Sequence, residues 1–443
     1  MTAGNGTPDL RERPEQRRIL SVLVLSQVLS GAGLAAGITV GALLAEEMLG
    51  STGLAGVPSA LFTAGSALGA FGIGRLCRRW GRRPGLALGY AAGALGSLGV
   101  VAAAAVDSAP LLFLGLLVYG AGTSTNLMAR YAGADLASPA RRGRAVSTVL
   151  FATTLGAVAG PNLVTLTGKL AHSWGIPRLA GPFLLAVAAF GAAAVVLAAL
   201  LRPDPLRLAE ALARTEALAR TESPGGTDAR TVGAPRRPLD RTQRRAVAGG
   251  TTVMVLTQLV MIAVMTMTPV HMQAHGHGTQ AAGLVIALHV GAMFLPSPLT
   301  GLLVDRIGPR WVAGAAGPVL LASGGLAAVA PPTSVPALAT ALVLLGLGWN
   351  FGLVSGTAMV TGTLPPDRRA AAQGLVDVGI AIAGATGGMS SGLVVAVSGF
   401  PVLALAGGVL ALAVVPVVVW SARRPPRTDS AAPASPRTET EHA

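Results

Sequence analysis

About twelve apolar runs, each long enough to cross a bilayer, run through this 443-residue chain and leave few folds open to it. A helix needs about 20 apolar residues to span the hydrocarbon core. Runs of that order occupy 19–45, 52–74, 84–106, 110–134, 146–168, 179–201, 246–270, 280–304, 311–331, 336–362, 371–397 and 400–421. Lipid offers the backbone no hydrogen-bond partners, so such runs must bond internally as helices. They fall into two sets of six. The expected fold is therefore an all-α integral membrane protein with two pseudo-symmetric six-helix bundles, 19–201 and 246–421. A polar linker, 202–245, joins them, and tails of 1–18 and 422–443 flank them.

Charge supports this reading twice. Only 12% of the residues are charged, against roughly 25% in soluble domains. The net charge of +14 would suit nucleic acid only if the basic residues formed one face. Instead they sit in short clusters between apolar runs, and lipid chemistry explains them better. The tails, the linker and alternate loops hold all the basic residues except Arg130, Lys169 and Arg178. By the positive-inside rule, both termini and the linker are expected on the cytoplasmic side of a cell membrane. A single cysteine, Cys77, excludes an internal disulfide and a cysteine-based zinc site. The first run follows a basic tail with no convincing processing site, so it reads as a retained first helix. In the linker, the near-duplicate ALARTEALARTE (211–222) reads either as a short amphipathic helix on the membrane surface or as a solvated connector.

The halves repeat. GRLCRRWGRR (74–83) and GLLVDRIGPR (301–310) lie 227 residues apart, as do SPARRGRA (138–145) and PPDRRAAA (365–372), and Gly160 and Gly387. One unbroken offset over three motifs marks a duplicated six-helix unit. Gly301, Asp305, Arg306, Gly308 and Arg310 follow the loop motif G-x-x-x-D-R-x-G-R-R of the major facilitator superfamily, which the chain resembles over nearly its whole length. The first copy retains Gly74, Arg79, Gly81, Arg82 and Arg83 but has Arg78 in place of the acid. Gly156, Gly160 and Pro161 in the fifth run resemble that family's antiporter motif, G-x-x-x-G-P. The fourth-helix arginine motif of drug antiporters is absent from its place, where Gly115 and Leu116 stand. The resemblance implies two bundles around a central cavity, alternating access by rocking, and a monomer that suffices for function.

Ionisable groups at membrane depth are few, and each is a functional candidate because burial in lipid is costly. Asp377 lies in the eleventh run, four residues after Gln373. Arg130 lies in the fourth, four residues after Asn126 and so on the same helix face. Asp377 is a proton-titrating or gating candidate, with Arg130 as its partner or as a substrate anchor; the alternative is structural pairing near helix ends. In the resembled fold the second helix meets the eleventh and the eighth meets the fifth. That arrangement implies a reversed latch, Arg78 against Asp377, with Asp305 against Arg141, Arg142 or Arg144. Arg78 also reads as one more charge that sets topology.

His289, midway along the eighth run, is either a proton shuttle or a structural hydrogen-bonding group. His271, His275 and His277 form H-x-x-x-H-x-H at an outer helix end, with no carboxylate or cysteine near in sequence, so no metal site is assigned. Glu46 and Glu47 cap the outer end of the first run or draw cations to it. Gln27, Asn126, Gln258, Trp349 and Asn350 are the candidates for lining a substrate cavity, which needs apolar walls with a few polar groups. There is no P-loop, no dinucleotide-binding glycine pattern and no nucleophile–base pair. The expectation is a transporter without cofactors, driven by a proton gradient and exporting a drug-like amphiphile or secondary metabolite. The alternative is a proton symporter that imports a small metabolite.

Overall fold

The computed structural model describes residues 14–34, 44, 47, 48, 57–221 and 239–422, apart from the side chains at 57–59, 157–162 (Gly160 and Pro161 among them), 164, 165, 217, 220, 221 and 279. Residues 1–13, 35–43, 45, 46 (the Glu46 candidate), 49–56, 222–238 and 423–443 lie outside the described residues. Within them the chain is helical and forms twelve crossing-length segments, of which eleven are long and apolar enough to span a membrane. The first six crossings are Pro14–Leu34, Val57–Trp80, Arg82–Ala105, Ala109–Ala134, Arg142–Ser173 and Gly181–Leu200. The seventh is Arg241–Ala274, and the eighth is broken into Thr279–Phe294 and Ser297–Ile307. The ninth to eleventh are Pro309–Val329, Val335–Thr363 and Pro366–Ser398. The twelfth consists of Phe400–Ala411 and Val414–Ala422. Large apolar side chains such as Leu95, Val195, Val329 and Leu393 stand exposed on the outer surface, as lipid-facing helices require.

The helices outrun their apolar stretches. The first starts at Pro14, so Arg17 and Arg18 lie on its opening turns, and Gln16 Nε2 bonds the Gly133 carbonyl at 2.7 Å. Hydropathy marks only what lies in hydrocarbon. Helical hydrogen bonding continues into the headgroup layer, where arginine is welcome.

Packing repeats with the sequence. The first helix packs on the fifth and sixth, and the seventh packs on the eleventh and twelfth. The fourth lies against the second and third, as the tenth lies against the eighth and ninth. Between the halves, the eleventh meets the second and the eighth meets the fifth. Glycine makes both crossings close. A Cβ on Gly74 would stand 2.9 Å from Gly374 Cα and 3.2 Å from the Ala370 carbonyl. A Cβ on Gly301 would strike Ser147 Oγ and stand 2.6 Å from the Gly143 carbonyl. These contacts are equivalent at the offset of 227. Gly301→Val should therefore overpack the second crossing and destabilise the protein by about 1–3 kcal/mol. Thermal unfolding in detergent measures this, and a wild-type midpoint would contradict the packing account.

Loop glycines serve another purpose. Gly81 and Gly308 adopt φ of 99° and 95°, a region where side chains are strained. At Gly81 the turn also brings Asp204 in close. Its Oδ2 accepts the Arg83 N–H at 2.7 Å, while Oδ1 accepts those of Leu206 and Arg207 at 3.0 and 3.1 Å. Asp204 thus ties the loop after the second helix to the start of a linker helix, Pro205–Thr221. That helix is docked rather than free: Leu206 and Ala209 are buried, and it touches the third, fourth and eleventh crossings.

Candidate functional site

The arginine-bearing loops gather at one end of the bundle, here called the basic end. Among the described residues, the polar contacts between the halves concentrate there. Arg130, in the last turns of the fourth helix, is fully buried. Its Nη2 donates to Asp377 Oδ1 at 2.7 Å and to Tyr131 Oη at 2.7 Å; its Nε donates to Thr357 Oγ1 at 3.0 Å. Nη1 bonds the Leu127 carbonyl within its own helix. The guanidinium also rests 4.1 Å from the centroid of the Tyr131 ring, a cation–π contact. One arginine of the first half therefore grips both the tenth and the eleventh helices of the second. Tyr131 Oη adds a bond to Asp377 Oδ1 at 3.2 Å, and Asp377 Oδ2 is buried without a hydrogen-bond partner.

A second set of charges lies nearer the loops. Arg82 Nε donates to Asp135 Oδ2 at 2.8 Å, with both side chains fully buried. Arg82 Nη2 reaches Gln373 on the eleventh helix, and Gln373 Nε2 continues to Thr361 Oγ1 at 3.1 Å. Arg369 Nη1 returns across the joint to the Asp135 carbonyl at 3.0 Å. Asp135 was not among the candidates read from sequence. Its position five residues after Arg130, at the end of the same helix, was the available signal.

The remaining candidates separate. Asp305 Oδ1 accepts the Gly143 N–H at 2.7 Å; Oδ2 accepts from Arg144 N at 3.1 Å and Arg144 Nε at 2.9 Å. The carboxylate sits on the N-terminus of the fifth helix, where unsatisfied N–H groups and the helix dipole favour an anion. Arg78 occupies the equivalent place opposite the eleventh helix. The expected Arg78–Asp377 latch is absent: Arg78 is exposed and Asp377 is held by Arg130. A helix N-terminus offers donors and partial positive charge, so a guanidinium gains nothing there and turns to solvent. Arg78→Asp should supply the missing acceptor and raise stability by about 1 kcal/mol. A lowered unfolding midpoint in detergent would refute this assignment.

Gln27 and Asn126 are buried in one network inside the first half. Asn126 Nδ2 donates to Gln27 Oε1 at 2.5 Å and to Ser30 Oγ at 2.9 Å, and Gln27 Nε2 to the Asn126 carbonyl at 3.0 Å. Asn350, expected at a cavity wall, is fully buried at the break in the eighth helix. Its Nδ2 satisfies the Met293 carbonyl and Ser297 Oγ, each at 2.7 Å. The turn at Pro296 disrupts the helical ladder there, so the side chain replaces backbone donors. Trp349 Nε1 donates to Gln258 Oε1 at 2.7 Å, and its ring meets Phe294 edge-on at 5.6 Å. Gln258 remains partly accessible. These three join the seventh, eighth and tenth helices.

His289 is fully buried, with Nδ1 on the Leu342 carbonyl at 2.8 Å and Nε2 without a partner. Of the outer histidines, His271 and His275 lie ring against ring, with centroids 4.4 Å apart. His275 Nδ1 and His277 Nε2 each lie 2.8 Å from a backbone carbonyl, of His271 and Pro332 respectively. His271 stacks on Phe400 at 4.4 Å. No group of three or more metal-ligating side chains occurs among the described residues. Glu47 is exposed. Gly156 sits against the first helix, where a Cβ would stand 2.9 Å from Gly31 Cα.

Twelve helices in two repeated halves, with buried charges paired across the joint, are the architecture of a secondary transporter. Comparison with known proteins gives the family. The model of the Major Facilitator Superfamily matches residues 23–295 and 251–441. The MFS-type transporter YddS of Bacillus subtilis (strain 168) is 50% identical over 421 residues, covering 95% of this chain and 94% of that protein. The riboflavin transporter RfnT of Brucella anthropi is 33% identical over 370 residues, covering 82% and 85%. The fold also matches the human organic anion transporter MFSD10 (TETRAN), with a TM-score of 0.71 at 17% identity over 92% of this chain and all of that one. The chain belongs to the major facilitator superfamily: it is a multi-pass membrane transporter of a small-molecule substrate, and not an enzyme.

Proposed function

We propose that this protein exports an amphiphilic small molecule in exchange for protons, with Arg130–Asp377 as the proton-sensitive lock. The observation that carries this reading is a buried ion pair across the joint whose carboxylate keeps one oxygen, Asp377 Oδ2, unbonded. A proton arriving at Oδ2 removes the negative charge that holds Arg130. The lock then falls from an ion pair to a charge–dipole contact, and the basic end is free to part. Loss of the proton re-forms the pair and closes that end again. Arg144 on Asp305 and Arg369 on Asp135 open in the same movement, because each bridges the halves.

The positive-inside distribution supports a cytoplasmic basic end. In that orientation, protonation from outside favours opening inward and deprotonation favours opening outward, which is the cycle exchange requires. Gly156 packed on the first helix, within the fifth-helix motif, supports exchange over symport. Trp349, Phe294 and Gln258 supply an aromatic wall with one amide for a drug-sized solute. The monomer is the working unit in this reading.

Likeness to the riboflavin transporter favours one rival, a proton symporter that imports a flavin-like metabolite. Inside-out vesicles separate the two. With a proton gradient imposed, uphill accumulation of an amphiphilic dye that Asp377→Asn abolishes is the expected result. Riboflavin accumulation in right-side-out vesicles, with no dye export, would sink the export reading. Substitution at Asp377 should leave downhill counterflow measurable, because the asparagine amide retains a hydrogen bond to Arg130.

A further inference from the structure

Beside the joint at the basic end lies a cavity of ≈ 450 Å³ that the lock does not use. The fifth helix contributes Arg142 and Gly143, the end of the eighth contributes Asp305, the start of the ninth contributes Arg310, and the tenth contributes Thr363. Both halves therefore form its wall. Its charges do not balance. Asp305 supplies a carboxylate, but both oxygens are engaged by Arg144 and the start of the fifth helix. Arg142 Nε is buried with no hydrogen-bond partner. Arg310 is exposed, and among the described residues its side chain makes a single long contact, Nη2 to the Ser421 carbonyl at 3.5 Å.

A third donor set lies beside them. The ninth helix begins at this cavity with Gly308 as its N-cap, no capping side chain and no acid in its first turn. Its first N–H groups and its dipole favour an anion there. The orphaned Arg142 Nε belongs to the lining of the same cavity. Arginine recognises phosphate oxygens in a planar fork. Ile307 and Trp311, 53% and 76% exposed, lie at the cavity mouth. An apolar, aromatic rim at a helix end suits the lipid–water boundary.

We propose that this cavity binds a phosphate-type oxyanion, either free or as the headgroup of an anionic phospholipid. Arg142 belongs to the first half and Arg310 to the second, so the bound anion bridges the halves and holds the basic end shut.

The test is thermal unfolding of the full chain in detergent with three probes: inorganic phosphate, dihexanoyl-phosphatidylglycerol and dihexanoyl-phosphatidylcholine. Chloride at equal ionic strength is the reference. The expected result is a saturable rise of several degrees with phosphatidylglycerol and none with phosphatidylcholine. An added rise with phosphate assigns the site to free oxyanions as well as lipid, and no rise with phosphate assigns it to lipid. Arg310→Gln, at an exposed position, should fold normally and lose most of the shift; Arg142→Gln should lose it all. Native mass spectrometry of the wild type provides a measurement that needs no variant, with one retained phosphatidylglycerol expected. Unchanged midpoints with both phosphate and phosphatidylglycerol overturn the proposal. So does an equal rise with phosphatidylcholine, or a full shift persisting in Arg310→Gln.

Discussion

Alanine at position 377 should cost the folded protein about 3–5 kcal/mol, and alanine at position 130 should cost less. The asymmetry follows from what each change leaves behind. Without Asp377, the Arg130 guanidinium stays fully buried and keeps only neutral partners: Thr357, Tyr131 and the Leu127 carbonyl. Without Arg130, the carboxylate can take up a proton and become neutral, which limits its penalty. Removing both charges should recover much of the loss, so Arg130→Ala with Asp377→Ala is expected to cost less than the two single changes summed. The double-mutant cycle isolates that interaction, about 0.5–3 kcal/mol for groups in contact. Unfolding midpoints in detergent supply the energies. Strict additivity of the two single changes would show that the pair does no joint work.

Much of this fold is legible in the sequence, because the bilayer imposes it. Runs of apolar length fix the crossings, arginine clusters mark one side, and the 227-residue offset reveals the duplication. Helix ends were less legible. Arg17, Arg142 and Arg368 lie on helical turns outside the apolar runs, where hydropathy has no signal but hydrogen bonding continues.

The site was legible in its parts more than in its wiring. Asp377 and Arg130 stand out because charge in hydrocarbon is rare. That Arg130 rather than Arg78 reaches Asp377 depends on where the second helix points relative to the start of the eleventh. Linear spacing carries no such information. Arg78 stands opposite a helix N-terminus, and sign alone then decides against it. Asn350 shows the converse case. Its polarity at membrane depth suggested a cavity, yet the nearby helix break at Pro296 consumes its hydrogen bonds. A proline in a neighbouring crossing is visible in sequence; its contact with the asparagine is not.

Asp135 offers the second large effect, and a way to separate folding from gating. Its carboxylate balances Arg82 at 2.8 Å and lies 3.8 Å from Arg369, which is itself largely buried. Asp135→Asn therefore leaves two buried cations without a counter-charge, at a cost of about 3–5 kcal/mol or more. Arg82 and Asp135 belong to the same half, so that pair persists whichever way the halves rock. Arg369 comes from the other half, and in the proposed cycle it leaves the Asp135 carbonyl as the basic end opens. Asp135→Asn should consequently lower the unfolding midpoint in every state of the cycle. Arg369→Gln should lower it little and instead shift the population toward an open basic end. Spin labels on the loops after the second and tenth helices can report that opening as a longer distance. If Arg369→Gln proves as unstable as Asp135→Asn and leaves that distance unchanged, Arg369 is part of the core and not of the gate.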